Sequence, residues 1–165
     1  MPYTIEIATA ADADGLAALH HLSHTKSFAA FASPAWVASR KLADYQSQWR
    51  EFFARNTPGA RAWIARAEGR VAGMVKIAPE KEPGLAQLSS MHVHPDVQGQ
   101  GVGQALMKVA EGFIKEAGYE RAILGVIQAN QRARRLYERA GWTVLELHPV
   151  GVEGVPIAVC GKQFK

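Results

Sequence analysis

The stretch MHVHPDVQGQGVGQALMKVAEGFIKEAG, from Met91 to Gly118, constrains the fold of this chain more than any other. A β-rich run reaches Val93, Pro95 breaks it, and the glycine-rich turn from Gln98 to Gly103 leads straight into a helical pattern. Val102, Ala105, Leu106, Val109, Ala110, Phe113 and Ile114 recur at helical spacing, so one apolar face persists until Gly118 stops it. Gly99, Gly101 and Gly103 alternate where the helix begins. Without Cβ atoms they let the backbone turn sharply and let a ligand approach closely. The free N–H groups of a first helical turn then make a site for a diphosphate. A Walker loop is excluded, since no Gly-Lys-Ser/Thr follows. A dinucleotide fingerprint starting at Gly99 needs a glycine where Gln104 stands. A purely structural glycine turn is the alternative reading.

The rest of the chain supplies a mixed α/β pattern. Residues 3–8 (YTIEIA) alternate as a strand, and Asp12 and Asp14 are candidate N-caps for a helix carrying Leu16, Leu19 and Leu22. Ser33-Pro34 restarts a helix. Another runs from about Asp44 to Arg55, and Pro58-Gly59 ends it. ARAWIAR and RVAGMVKIA read as a hairpin joined at Glu68-Gly69, and AQLSSMHV is a further central strand. Terminal strands are expected at about 142–147 and 155–160. The order predicts a mostly antiparallel front half and a β-α-β-α-β back half. The 165 residues suit one domain over 1–165, and 48 % hydrophobic content suits a packed core. No apolar run approaches the ~18 residues of a membrane span. The first residues lack a secretory pattern, and the lone Cys160 closes no disulfide, which points to a cytoplasmic location. The formal charge of +4 suits an anionic ligand, while a nucleic-acid role needs a larger basic surface or stacking aromatics.

LSSMHVHPDVQGQGVGQAL resembles the central motif of the GNAT N-acetyltransferase superfamily, Arg/Gln-x-x-Gly-x-Gly/Ala. Gln98, Gly101 and Gly103 match it, after a strand ending in apolar-x-Val-x-Pro from Met91 to Pro95. Downstream, NQRARRLYERAGW resembles the second motif through Asn130, Ala133, Leu136, Tyr137, Gly141 and Trp142. The resemblance covers residues 86–142; outside them only the order of elements supports it. It implies an α/β (α+β) GNAT fold, a strongly twisted mixed sheet of six or seven strands with helices on both faces. It also implies acetyl-CoA as co-substrate, no metal, a small-molecule amine as acceptor, and a homodimer. By resemblance the amides of Gln98, Gly99, Gln100, Gly101, Val102 and Gly103 bind the pyrophosphate. The backbone of Met91, His92 and Val93 pairs with the pantetheine arm, as does the Asn130 side chain, and Tyr137 faces the sulfur as general acid. The chemistry is consistent with that role: a thiol has a pKa near 8.5 and a tyrosine about 10, so the tyrosine stays protonated and can donate to a leaving thiolate.

The general base is not named by the sequence. AQLSSMHV contains no carboxylate, and Gln87 cannot serve. His92, Glu82 through water, or ordered water with backbone carbonyls remain open. His92 and His94 are two apart on a strand and resemble half a metal site, with no third ligand in view. His20 and His24 form an i, i+4 pair, read as exposed polarity or a wall of the acceptor site. Trp36 falls in the segment that covers the acceptor groove in relatives. Arg132, Arg135 and Arg139 share a helix face, either solvated or drawn to the 3′-phosphate of CoA. Residues 15–43 contain no Asp or Glu, which favours amino-acid-like or aromatic amines over polyamines unless Glu82, Glu146 or Glu153 enters the groove. The rival reading is a non-catalytic acyl-CoA-binding regulatory protein.

Overall fold

The computed structural model describes residues 2–165. Seven strands form one sheet in the order β1-β2-β3-β4-β5-β7-β6. They are β1 (Thr4–Ile7), β2 (Arg61–Ala67), β3 (Arg70–Pro79), β4 (Leu85–Val93), β5 (Arg121–Ile127), β6 (Thr143–His148) and β7 (Ile157–Gln163). Five α-helices accompany them: α1 (Ala13–Leu22), α2 (Pro34–Ala38), α3 (Leu42–Arg55), α4 (Val102–Glu116) and α5 (Gln131–Arg139). Every strand pair is antiparallel except β4 with β5. This is the mixed sheet with helices on both faces that the resemblance implies. No helix among the described residues is long and apolar enough to cross a membrane.

The sheet is the middle layer, and its alternation sorts side chains to two cores. Ala62 and Ile64 of β2 join Leu16, Leu19, Tyr45, Trp49 and Met74 beneath α1 and α3. Trp63 and Ala65 join Val75, Leu88, Leu106, Ile114 and Trp142 beneath α4. Local signals behave as their chemistry requires, with two shifts. Thr9 and Asp12 make a capping box ahead of α1, and Asp12 also pairs with Arg66, so it anchors β2 rather than capping α1 with its side chain. Helix α3 ends at Arg55 because Asn56 turns left-handed, before Pro58-Gly59 is reached. Ser33 Oγ accepts from Trp36 N and starts α2, as expected of Ser-Pro.

Gly73 lets α4 lie close to the sheet. A Cβ there would stand 2.9 Å from Leu106 Cδ1 and 3.2 Å from the His92 carbonyl oxygen, and Leu106 is fully buried. Gly73→Ala is therefore expected to destabilise the protein by about 1–3 kcal/mol through overpacking, read as a lower urea midpoint at unchanged slope. A midpoint equal to that of the parent would show that α4 has room to retreat.

Candidate active site

Strands β4 and β5 pair only at Leu85–Arg121, Ala86–Ala122 and Gln87–Ile123. Beyond these β5 stays with β7 along its whole length, while β4 continues with β3 alone. A register shift opposite Met74 and Lys76 and a left-handed Ser90 (φ 54°) bulge β4 at the point of divergence. The β5-facing backbone edge of Met91, His92 and Val93 is thereby left without a strand partner, and buried backbone polar groups require one. The bulge also sets side-chain direction: Met91 and Val93 pack on the α4 core, while the His92 ring lies against those of His20 and His24 on the opposite face.

The gap opens into a groove of about 720 Å³. At one end is the glycine turn. His94 Nδ1 accepts from Asp96 N, Val97 is buried as an anchor, and Gly99 (φ +81°) and Gly101 (φ +84°) take left-handed conformations on the way into α4. Tyr3 Oη donates to the Gly101 carbonyl. The first intrahelical bond runs from Ala105 N to Gly101 O, so the N–H groups of Val102, Gly103 and Gln104 point out of the helix end. Arg132, Arg135 and Arg139 of α5 line the same groove, and Arg132 Nη1 donates to Gln98 Oε1 at 2.7 Å. Oriented amides facing guanidinium groups make a seat for a polyanion.

Helix α5 also carries Asn130 and Tyr137 to the groove. Asn130 Oδ1 caps the helix by accepting from Ala133 N at 3.2 Å, which leaves its amide N–H groups as the part available to a ligand. Tyr137 is buried, and its hydroxyl makes no hydrogen bond among the described residues. Burial, and secondarily the neighbouring Cys160, push its pKa well above the ordinary tyrosine value, so it holds its proton at any working pH.

The opposite end combines the histidines already singled out with residues, Ser23 and Ser27, that the sequence did not single out. After α1 the chain continues through a π-helical turn, Ser23–Ser27, and a short 3₁₀ turn, Phe28–Ala30. Ser23, Ser27, Phe28 and Phe31 line the groove beside His92. Behind them His20, His24 and His92 cluster with nitrogen atoms within 4.8 Å of one another. The three rings do not offer a metal three lone pairs at once. Trp49 Nε1–H donates to His20 Nδ1 at 3.1 Å, which places the proton of neutral His20 on Nε2. His24 Nδ1 lies 2.6 Å from the Tyr45 hydroxyl. Burial, then Arg40 and His21, lower the His24 pKa to about 4. Burial and then His24 lower that of His92 to about 3. Burial, then His92, His24 and Lys76, drive His20 far below its usual value.

Several sequence expectations are corrected here. Of the two readings of His20 and His24, exposed polarity is overturned, since both are half-buried members of an aromatic cluster; a wall of the acceptor site stays as the other reading. His94 does not face the same way as His92, because the strand ends at Val93 and His94 is spent on the turn. Glu82 pairs with Arg121 before the other end of β4, and neither it, Glu146 nor Glu153 lines the groove. Trp36 packs against His24 behind the lining.

The sequence model of the acetyltransferase (GNAT) family matches residues 22–142, and the chain belongs to that family. It is 30 % identical over 103 residues to N-acetylaspartate synthetase of Xenopus tropicalis, covering 61 % of this chain and 38 % of that protein. It is 36 % identical over 85 residues to mycothiol acetyltransferase of Propionibacterium freudenreichii subsp. shermanii, covering 50 % and 27 %. The chain thus spans well under half the length of these relatives. Among solved structures, the PaiA N-acetyltransferase of Thermoplasma acidophilum in complex with coenzyme A superposes with a TM-score of 0.83 at 18 % identity, over 99 % of this chain and 100 % of that one. The yncA protein of Salmonella typhimurium with its cofactor acetyl-CoA gives 0.79 at 20 % identity, over 100 % and 95 %. These two likenesses establish the fold.

The imidazole cluster has a consequence for stability. Unfolded histidines titrate near 6.5, whereas His24 and His92 stay neutral down to about 4 and about 3. Below pH 6.5 the unfolded chain takes up protons that the folded one refuses. Stability is therefore complete above that pH and falls with acid, by up to about 1.4 kcal/mol per pH unit for each ring. Urea titrations between pH 7 and 5 should show this slope, and His24→Asn should remove about one ring's share. An unchanged slope in that variant would mean that His24 titrates normally in the folded protein.

Proposed function

We propose that the protein is an acetyl-CoA-dependent N-acetyltransferase that acetylates a primary amine of a small molecule by direct attack. The observation that carries this reading is the juxtaposition in one groove of an unpaired β4 edge, an amide-lined helix end facing arginines, and a protonated Tyr137. The solved structures with coenzyme A and acetyl-CoA, and the relatives named N-acetyltransferases, support it. The helix end and Gln98–Gly103 would hold the diphosphate, with Arg132, Arg135 and Arg139 beside it. The edge of Met91–Val93 and the Asn130 amide would hold the pantetheine arm. Acetyl-CoA supplies an activated acetyl group. Tyr137 would donate its proton to the sulfur as the thiolate leaves. The lone buried Cys160 is the support for a cytoplasmic location, and exposed Leu145 and Leu147 on edge strand β6 are the support for a homodimer.

Two variants test the reading. Tyr137→Phe keeps the ring and removes the donor, so turnover should fall about 10²-fold while thermal stability is kept. Turnover at the parent rate would give leaving-group protonation to another donor. Gly103→Asp separates binding from folding by sign. A carboxylate in the first turn of α4 suits the helix dipole and should not lower stability. It faces the proposed diphosphate, though, and should weaken acetyl-CoA binding about tenfold or more by calorimetry. Unchanged affinity would mean that the turn is structural. Acetyl-CoA binding with no amine-dependent thiol release across a broad panel would favour the regulatory reading instead.

A further inference from the structure

Two buried polar side chains line the groove with no partner inside the protein. Ser23 is 2 % exposed and His92 8 %, and among the described residues neither the Ser23 hydroxyl nor the His92 ring makes a hydrogen bond. No side-chain nitrogen or oxygen sealed from solvent is unsatisfied among the described residues, so both groups open toward the groove they line. Open to the groove, both are free to hydrogen-bond whatever occupies it, water or a ligand. Phe28 and Phe31 line the groove around them.

The charge around this seat is one-sided. Lys76 of β3 faces His20, Arg40 follows α2 and faces His24 and Tyr45, and His21 stands near His24. From α3 come Trp49 and Tyr45, both hydrogen-bonded to the histidines, and Asp44, whose influence falls on Tyr45. No Asp or Glu lines the groove. An alkylammonium entering such a place loses water and gains no counter-ion, whereas the free amine offers N–H groups to Ser23 Oγ and to an imidazole lone pair.

Resting on the acetyltransferase reading, we infer that Ser23 and His92 seat the acceptor's amino group in its uncharged form, with the acceptor's apolar or aromatic body against Phe28 and Phe31. The substrate class is then a monoamine with an apolar or aromatic body, and polyamines are excluded. The same seat accounts for a groove without a carboxylate base: selection of the free amine leaves the ammonium proton in solvent. The one N–H proton lost as the C–N bond forms and the C–S bond breaks passes through groove water to replace the proton that Tyr137 gives to the sulfur.

The test uses 2-phenylethylamine and its β,β-difluoro analogue, which match in shape and differ in basicity, with thiol release as readout between about pH 6 and 9.5. The acid limb of kcat/KM should follow the acceptor, rising about tenfold per pH unit until each amine's own pKa and levelling earlier for the fluorinated one. Ser23→Ala should raise the acceptor KM about tenfold, with kcat and acetyl-CoA affinity little changed. A limb at one fixed pH for both acceptors would place a titrating base in the enzyme and overturn the inference. So would an unmoved KM in Ser23→Ala, or spermidine exceeding both phenylethylamines. These outcomes all require amine-dependent thiol release. Its absence with every amine, acetyl-CoA being bound, overturns the acetyltransferase reading itself.

Discussion

Everything at the groove depends on β4 parting from β5. Three residue pairs hold the two strands together, and then the bulge at Ser90 turns β4 away while β5 stays with β7. A sheet does not give up ladder hydrogen bonds in its centre without a reason, because each unpaired N–H or C=O in a buried place costs on the order of 1–3 kcal/mol. The cost is acceptable where a ligand's own amides can replace the missing strand. The parting also leaves space in which α5 brings Tyr137 and the arginines to the groove that the first turn of α4 lines, so the proposed diphosphate seat and the proposed proton donor depend on the same bulge.

The two ends of the groove are electrically alike and chemically different. At the glycine turn, positive potential comes from fixed guanidinium groups and oriented amides, and it suits a permanently charged polyanion. At the other end, Arg40 and Lys76 act on imidazoles that burial already holds neutral. The result is a cavity wall of aromatic rings and lone pairs in a weakly positive field. Such a wall is tolerant of a neutral amine and hostile to a second ammonium group. The histidines lower one another's proton affinity, and Trp49 fixes His20 as a donor, so the cluster is a rigid, uncharged element rather than a buffer.

Much of the fold could be read from the sequence because its signals are local. The apolar stripe from Val102 to Ile114, the break at Pro95 and the Asn130–Trp142 motif each predict an element that the structure contains. The glycine turn could be read for the same reason: only glycine takes the left-handed turn of Gly99 and Gly101 cheaply. The opposite end of the groove could not. Ser23, Phe28 and Phe31 reach the groove through a π-helical turn, which shifts side chains off the 3.6-residue period that sequence reading assumes. His20, His24 and His92 lie more than sixty residues apart at the extremes, and only the bulge at Ser90 turns the last of them to meet the first two. The visible clues were the His20 and His24 pair, readable as a wall of the acceptor site, and the lack of Asp and Glu from residue 15 to 43.

The most direct test of the central claim is backbone amide hydrogen exchange with and without acetyl-CoA. If the parted strand and the helix end form the ligand's seat, protection should rise at Met91–Val93 and at Gln98–Gly103, while β2 and α3 stay unchanged. Binding of acetyl-CoA with exchange unaltered along both segments would contradict the account.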